Sequence, residues 1–477
     1  MSQNKDLWRG TAVYTFSNLF VKTGYILFLP ILTRLLTPEQ YGVVELLRPI
    51  KHILTVVLVF GLYVPQSRDF NFLKNDEKEL GSYLFSLNIF LIITGFIFYL
   101  ILNSDFALKY WDKIFDLSKV GIANLRIAIL LGVLSSLNLM ANRYFQIKKI
   151  YKRVAISSVI SFILNVIVSY ILIKFFLQGV YGRIIGILVG TLFVFGYQYT
   201  QYMSDFKIKF NFSYLKNSLL LGSPMILTGV MGNIINYSDR LVLGKFIDLE
   251  IVGIYSLAYT GGMVLTVFIN SYINSWTPNF YELIKEDKDN INLRTNLENF
   301  IAILIIISLI GQLFSKEIIY YILPNSYLDT VNFLPYIISA MIIQGFYHYL
   351  VLFLHYYKDS RYTPMTTFLT GVINLSINII FIPIYGPMVA VWSTIIAFVI
   401  NVLIYFLIIK FKYNINFNYL KLIFLYLLTL NPIVIRLFKS EISVHNFMFK
   451  IAYFLIVILI LNYLFDNIIK KIKNTIY

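Results

Sequence analysis

The chain has 477 residues, 58% of them hydrophobic, 17% aromatic and only 13% charged, with a mean hydropathy of +0.73. A soluble domain carries about one quarter charged residues, so this composition excludes one and points to a polytopic membrane protein. The net charge of +16 then reflects basic loops beside membrane spans rather than nucleic-acid binding, and the absence of cysteine excludes disulfides and thiolate chemistry.

In chain order, "MSQNKDLWRG" is short and polar, and the apolar run after it lacks a small-residue cleavage site. The first span is therefore expected to be retained. Apolar windows and turn residues predict fourteen spans in all. They fall near 11–33, 42–65, 81–102, 122–142, 154–176, 181–202, 218–240, 251–276, 298–319, 331–354, 363–384, 387–409, 418–438 and 448–469. The loops between them are too short to hold an inserted soluble domain. With a cytoplasmic N-terminus, that segment, alternate loops and the C-terminus carry 23 Lys and Arg, against 12 on the other side. Five more lie inside spans: Lys22, Arg48, Lys51, Arg126 and Lys421. Both termini are expected in the cytoplasm.

The sequence repeats itself. "LTPEQYGVVELLRPIKHILTVV" and "IDLEIVGIYSLAYTGGMVLTVF" align at a spacing of 211, with Glu39 on Glu250 and Gly42 on Gly253. At a spacing of 209, Lys149, Lys152 and Asn165 meet Lys358, Arg361 and Asn374. Six spans therefore look duplicated in the next six. An even number of spans per unit makes the repeat parallel. The expected fold is an all-α polytopic membrane protein with a six-helix lobe at 1–210, a second at 211–412, and two additional transmembrane helices at 413–477. Such two-lobed repeats suit alternating access.

The stretch "GVVELLRPIKHILTVVLVFGLYVP" at 42–65 is long enough to span a bilayer, yet it carries Glu45, Arg48, Lys51 and His52. A charge at mid-membrane costs about 2.5–3.5 kcal/mol even on lenient scales. With a midpoint near Ile53, Arg48 lies ~8 Å and Lys51 ~4 Å from the midplane. Glu45, read in the first turn, suits the helix N-terminus and can pair with Arg48 at i+3. Lys22 shares a face with Asn18 and Tyr25 in span 1. The reading is a polar interior lined by Lys22, Arg48 and Lys51. Their repeat partners include Tyr259 and Gly262, so the charges belong to the N-terminal lobe alone. Cations without enough acid to pair them call for an anion.

Other spans carry polar faces at helical spacing. Asn165 lies on span 5, and Asn374 and Asn378 lie on its partner, span 11. Tyr255, Tyr259 and Asn270 mark span 8, and Gln344, His348 and His355 mark span 10. Interhelical hydrogen bonding explains the Ser and Thr of these faces; for Asn a wet cavity stands beside it. "DKD" at 287–289 reads as a solvated turn. No P-loop lysine motif is present, and the histidines lack a carboxylate triad, so no cofactor or metal is expected.

"FLPILTRLLTPEQYGVVELLRPIKHIL", followed by "FGLYVPQSRDF", resembles the N-terminal signature of Wzx-type polysaccharide-biosynthesis flippases for O-antigen and capsule. These belong to the multidrug/oligosaccharidyl-lipid/polysaccharide exporter superfamily. The resemblance implies two six-helix lobes around a V-shaped cavity. It also implies a transporter, not an enzyme, which moves a polyprenyl-diphosphate-linked oligosaccharide across the bacterial cytoplasmic membrane. On that reading the diphosphate meets Lys22, Arg48 and Lys51, with Arg34 and Arg240 near the outer mouth of spans 1 and 7. Sugar hydroxyls meet the Asn, Tyr and Ser faces. Coupling to an ion gradient or the membrane potential falls to Glu45, Asp69 and Asp239. Expected partners are the lipid-linked sugar, membrane lipids and the polysaccharide polymerase machinery, with no nucleic acid. The competing readings are a cation-coupled multidrug exporter, a peptidoglycan-precursor flippase and a membrane polysaccharide polymerase.

Overall fold

The computed structural model of the protein describes residues 2–286, 291–359 and 361–464, so the "DKD" turn lies outside the described residues. It is 89% helical, with no strand among the described residues. A bilayer leaves this choice: with no water to satisfy backbone groups, each segment must bond within itself. Twelve helices are long and apolar enough to cross a membrane, and up to thirteen if the bent pair Phe212–Gly222 and Pro224–Phe246 is one span. The chain is a multi-pass membrane protein.

The expected count of fourteen is not reached on length and apolarity. The 42–65 stretch is where the two differ. Its helix runs Pro38–Val59, 22 residues, and Glu39, Glu45, Arg48 and Lys51 make it too charged to qualify. At 1.5 Å per residue it still extends ~33 Å, enough to span. It starts four residues earlier than expected because Thr37 and Gln40 form a capping box and Pro38 occupies the first turn. It ends earlier because Phe60 and Gly61 both adopt positive φ, at 51° and 68°. At Gly61 a Cβ would overlap the Gly222 carbonyl. These shifts correct two readings. Arg48 falls at the helix midpoint, and Glu45 lies two turns inside, where the macrodipole no longer favours it.

Span 7 is also redrawn. The chain bends by 45° between Gly222 and Pro224, and the second helix continues to Phe246. Asp239 and Arg240 are consequently well inside this helix rather than at its end.

The chain folds as two compact units, Met1–Gly253 and Ile254–Tyr477. In the first, Gly42 and Gly253 are the repeat partners at spacing 211. A Cβ on Gly42 would overlap the Leu249 carbonyl, and one on Gly253 would overlap the Pro38 carbonyl. Backbone thus meets backbone where the Pro38–Val59 helix begins. The core of this unit buries Tyr83, Tyr144, Tyr199 and Tyr202. Its polar members satisfy one another: Tyr199 donates to Asn88 at 3.0 Å, and Asn88 donates to the Tyr202 hydroxyl at 2.7 Å. In the second unit, Gln312 donates to Ser339 at 2.6 Å, and the Lys421 ammonium pairs with Glu298 at 2.6 Å.

The repeat leaves a backbone trace. Lys149 and Lys358 both have φ near 60°, and Leu177 and Gly386 both have positive φ; each pair is 209 residues apart. Each unit also ties the end of a span to a neighbouring loop with an aspartate. Asp205 accepts from the Lys148 ammonium at 2.6 Å and from the Tyr144 hydroxyl. Burial alone pushes its carboxyl up, but these two donors hold it below the ordinary range. Asp359 accepts from Lys412 at 2.5 Å and from Tyr413 at 2.6 Å; the Lys412 ammonium, then the Tyr413 hydroxyl, hold its carboxyl low.

Candidate functional site

The site lies in the first unit and starts from one helix. Glu45 is fully buried on the Pro38–Val59 helix, and the Arg48 guanidinium one turn on pairs with it at 2.7 Å. Across from them the Pro224–Phe246 helix brings Arg240, only 1% exposed, with its Nε 4.0 Å from the other Glu45 oxygen. Arg240 also donates to the Asn236 carbonyl at 2.6 Å and approaches Asp239 at 3.4 Å. Its guanidinium lies over the Tyr237 ring, on which His52 stacks at 5.2 Å. Two carboxylates and two guanidinia therefore form one buried quartet. Only Arg48 escapes burial, with 37% of its side chain accessible. The quartet's accessible end is a cation.

A second cluster adjoins it. The Gly179–Val194 helix packs against Tyr151–Phe176 through Gly182, Gly186 and Gly190, a small-residue stripe at four-residue spacing. A Cβ at Gly186 would lie 2.8 Å from the Asn165 carbonyl, and one at Gly190 would lie 2.7 Å from that of Ser161. This close approach delivers Arg183, 4% exposed, to Asn165 and Ser169. It donates to the Asn165 Oδ1 and, at 2.9 Å, to the Ser169 hydroxyl, and it lies over the Phe28 ring. Asn165 in turn donates to the Tyr25 hydroxyl at 3.3 Å. Arg183 carried no site expectation from the sequence. Its signal was available, an arginine at the start of an apolar span flanked by the glycine stripe.

Arg183, Arg48 and Lys51 are near enough to repel one another electrostatically. Lys51, half-buried one turn beyond Arg48, makes no ion pair among the described residues. Four cations (Arg48, Lys51, Arg183 and Arg240) thus face two carboxylates (Glu45 and Asp239), a surplus of two positive charges. A surplus of this kind inside a membrane protein favours an anion, and guanidinia suit one with several acceptor oxygens.

The other expected residues each have surroundings of their own. Lys22 and Arg34 are exposed on the first helix, and Asn18, one turn before Lys22, is half-buried. Asp69 pairs with Arg68 at 2.6 Å on the Tyr63–Leu73 helix. In the second unit, Tyr255 and Tyr259 are buried with their rings 6.1 Å apart, and Asn270 is half-buried. Asn374 and Asn378 are buried and bridged by Ser393, whose hydroxyl donates to Asn378 at 2.6 Å. They are the repeat partners of Asn165 and Ser169, so the same two positions receive a guanidinium in one unit and a hydroxyl in the other. Gln344 and His348 are half-buried, with His348 5.2 Å from the Tyr347 ring. No group of three metal-ligating side chains occurs among the described residues.

A family model described as "Polysaccharide biosynthesis protein" matches residues 31–332, which contain the Glu45–Arg48–Asp239–Arg240 quartet, Lys51 and Arg183. The chain belongs to the polysaccharide biosynthesis protein family. No curated protein matches it in sequence. Among solved structures, the lipid II flippase MurJ in an inward closed conformation is similar with a TM-score of 0.74 and 16% identity, over 95% of this chain and 98% of that one. An inward-facing multidrug resistance MATE family transporter of the MOP superfamily is similar with a TM-score of 0.68 and 15% identity, over 83% and 96%. These likenesses show a common fold.

Proposed function

We propose that the protein is a flippase that carries polyprenyl-diphosphate-linked oligosaccharide repeat units across the bacterial cytoplasmic membrane by alternating access, supplying cell-surface polysaccharide synthesis. The observation that carries this reading is the cationic surplus centred on Arg48, halfway along the Pro38–Val59 helix. Arg48 forks onto the diphosphate, and Lys51 adds a compact point charge. Glu45 holds Arg48 while the site is empty, which limits the cost of a bare cation, and yields it to phosphate when substrate arrives. Arg240 is the standing partner that stays beside Glu45 through the exchange.

A peptidoglycan precursor presents the same diphosphate; membership in a polysaccharide biosynthesis family favours repeat units. In this reading the protein is a transporter without a catalytic residue or cofactor. It is driven by an ion gradient or the membrane potential and works beside the polymerase, with both termini in the cytoplasm. The test is flipping of a lipid-linked oligosaccharide in reconstituted vesicles. Arg48→Gln/Lys51→Gln should insert normally and flip at least tenfold more slowly, with Arg48→Lys intermediate. A double variant that flips at the wild-type rate would remove the site from this role.

A further inference from the structure

The second unit holds a groove of about 570 Å³ between the Leu334–Tyr356, Met388–Tyr413 and Tyr419–Leu427 helices. Its walls are apolar, with Phe346, Leu403, Leu407 and Ile423 among them. Three polar groups, Lys410, Tyr419 and Tyr426, interrupt this lining. Lys410, in the last turn of its helix, is exposed and has no ion pair among the described residues, whereas Lys412 is taken by Asp359. Tyr426 lines the same groove, and its hydroxyl is buried with no hydrogen-bond partner among the described residues. Native membrane proteins rarely leave such a group unanswered, because no water reaches it in the hydrocarbon.

We propose that this groove seats one anionic glycerophospholipid. Its phosphate rests at Lys410, an ester carbonyl accepts from the Tyr426 hydroxyl, and an acyl chain follows the apolar walls. The order of these groups matches the helices. Lys410 is three residues from the end of its helix, ~4.5 Å, while Tyr426 is seven residues beyond Tyr419, ~10 Å into the next one. Cation first and hydroxyl deeper is the order of phosphate and ester in a phospholipid. A polyprenyl chain fills the walls but offers nothing to the polar groups, and a free phosphate leaves the walls uncovered. Basic side chains near a membrane surface favour anionic headgroups.

The experiment is native mass spectrometry of the purified full chain with dioleoylphosphatidylglycerol, paired with thermal unfolding in detergent. Wild type should retain one phosphatidylglycerol and unfold at a higher temperature when it is added. Lys410→Gln and Tyr426→Phe should each weaken retention about fivefold. Without lipid, Tyr426→Phe should unfold no earlier than wild type, since its hydroxyl has no partner to lose among the described residues. Equal retention by wild type and Lys410→Gln/Tyr426→Phe would overturn the proposal. So would displacement of phosphatidylglycerol from wild type by equimolar polyprenol.

Discussion

Arg240 shows what a buried charge requires. At 1% exposure it has given up hydration, and Glu45, Asp239 and the Asn236 carbonyl replace it. Removing one member of such a group costs more than the group contributes, because a charge is left buried without compensation. Arg240→Met is therefore expected to destabilise the protein by about 3–5 kcal/mol. Adding Glu45→Gln should recover at least ~1 kcal/mol, since it leaves one carboxylate and one guanidinium where Arg240→Met alone leaves two carboxylates facing one. Thermal unfolding in detergent of wild type, both single variants and the double variant checks this. Strictly additive effects would mean that the 4.0 Å approach of Arg240 to Glu45 carries no coupling. The same cycle separates stability from transport: Arg48, the accessible member, should affect flipping more than folding, and Arg240 the reverse.

At the level of elements, the cluster around Arg183 depends on how closely two helices approach. The hydrophobic effect does not drive helices together inside lipid, so contact rests on packing and interhelical hydrogen bonds. Gly186 meets both conditions, because its missing Cβ leaves room for Ser169 and the Asn165 carbonyl. Gly186→Ala should lower stability by about 1–3 kcal/mol through overpacking. It should also weaken Arg183's hold on Asn165, and with it flipping. Gly196, after the same helix, is the control: nothing lies within 4 Å of a Cβ built there. Gly196→Ala should be neutral or slightly stabilising, as helix propensity alone predicts. Equal unfolding temperatures for the two variants would show that the stripe does not set the spacing. Proline and glycine act differently at the bent span, where Pro224 restarts a helix that Phe212–Gly222 had ended.

Across the whole molecule, the features set by the bilayer were legible and those set by pairing between helices were not. Apolar windows located nearly every span because membrane thickness imposes about 20 residues on each. The charged helix was found too, although its ends were misplaced; Thr37 and Gln40 carried the true start as a capping box. The Glu45–Arg48 pair was readable because i,i+3 spacing is local. Arg240 against Glu45 and Arg183 against Asn165 were not, since each joins two different helices through a contact that no periodicity within one helix encodes. Sidedness rests on loop charge alone, and the absence of cysteine makes it directly measurable. A single introduced cysteine has no background from the rest of the chain. Ser118 and Ser204 are exposed in the connections after the third and sixth expected spans, on opposite sides of the membrane if the basic loops face the cytoplasm. Ser118→Cys should react with an impermeant maleimide on intact cells. Ser204→Cys, next to Lys207 and Lys209, should react only after permeabilisation. The reverse pattern would invert the protein, placing its basic loops outside. Labelling of both from outside would mean that an odd number of the three expected spans between them, near 122–142, 154–176 and 181–202, does not cross.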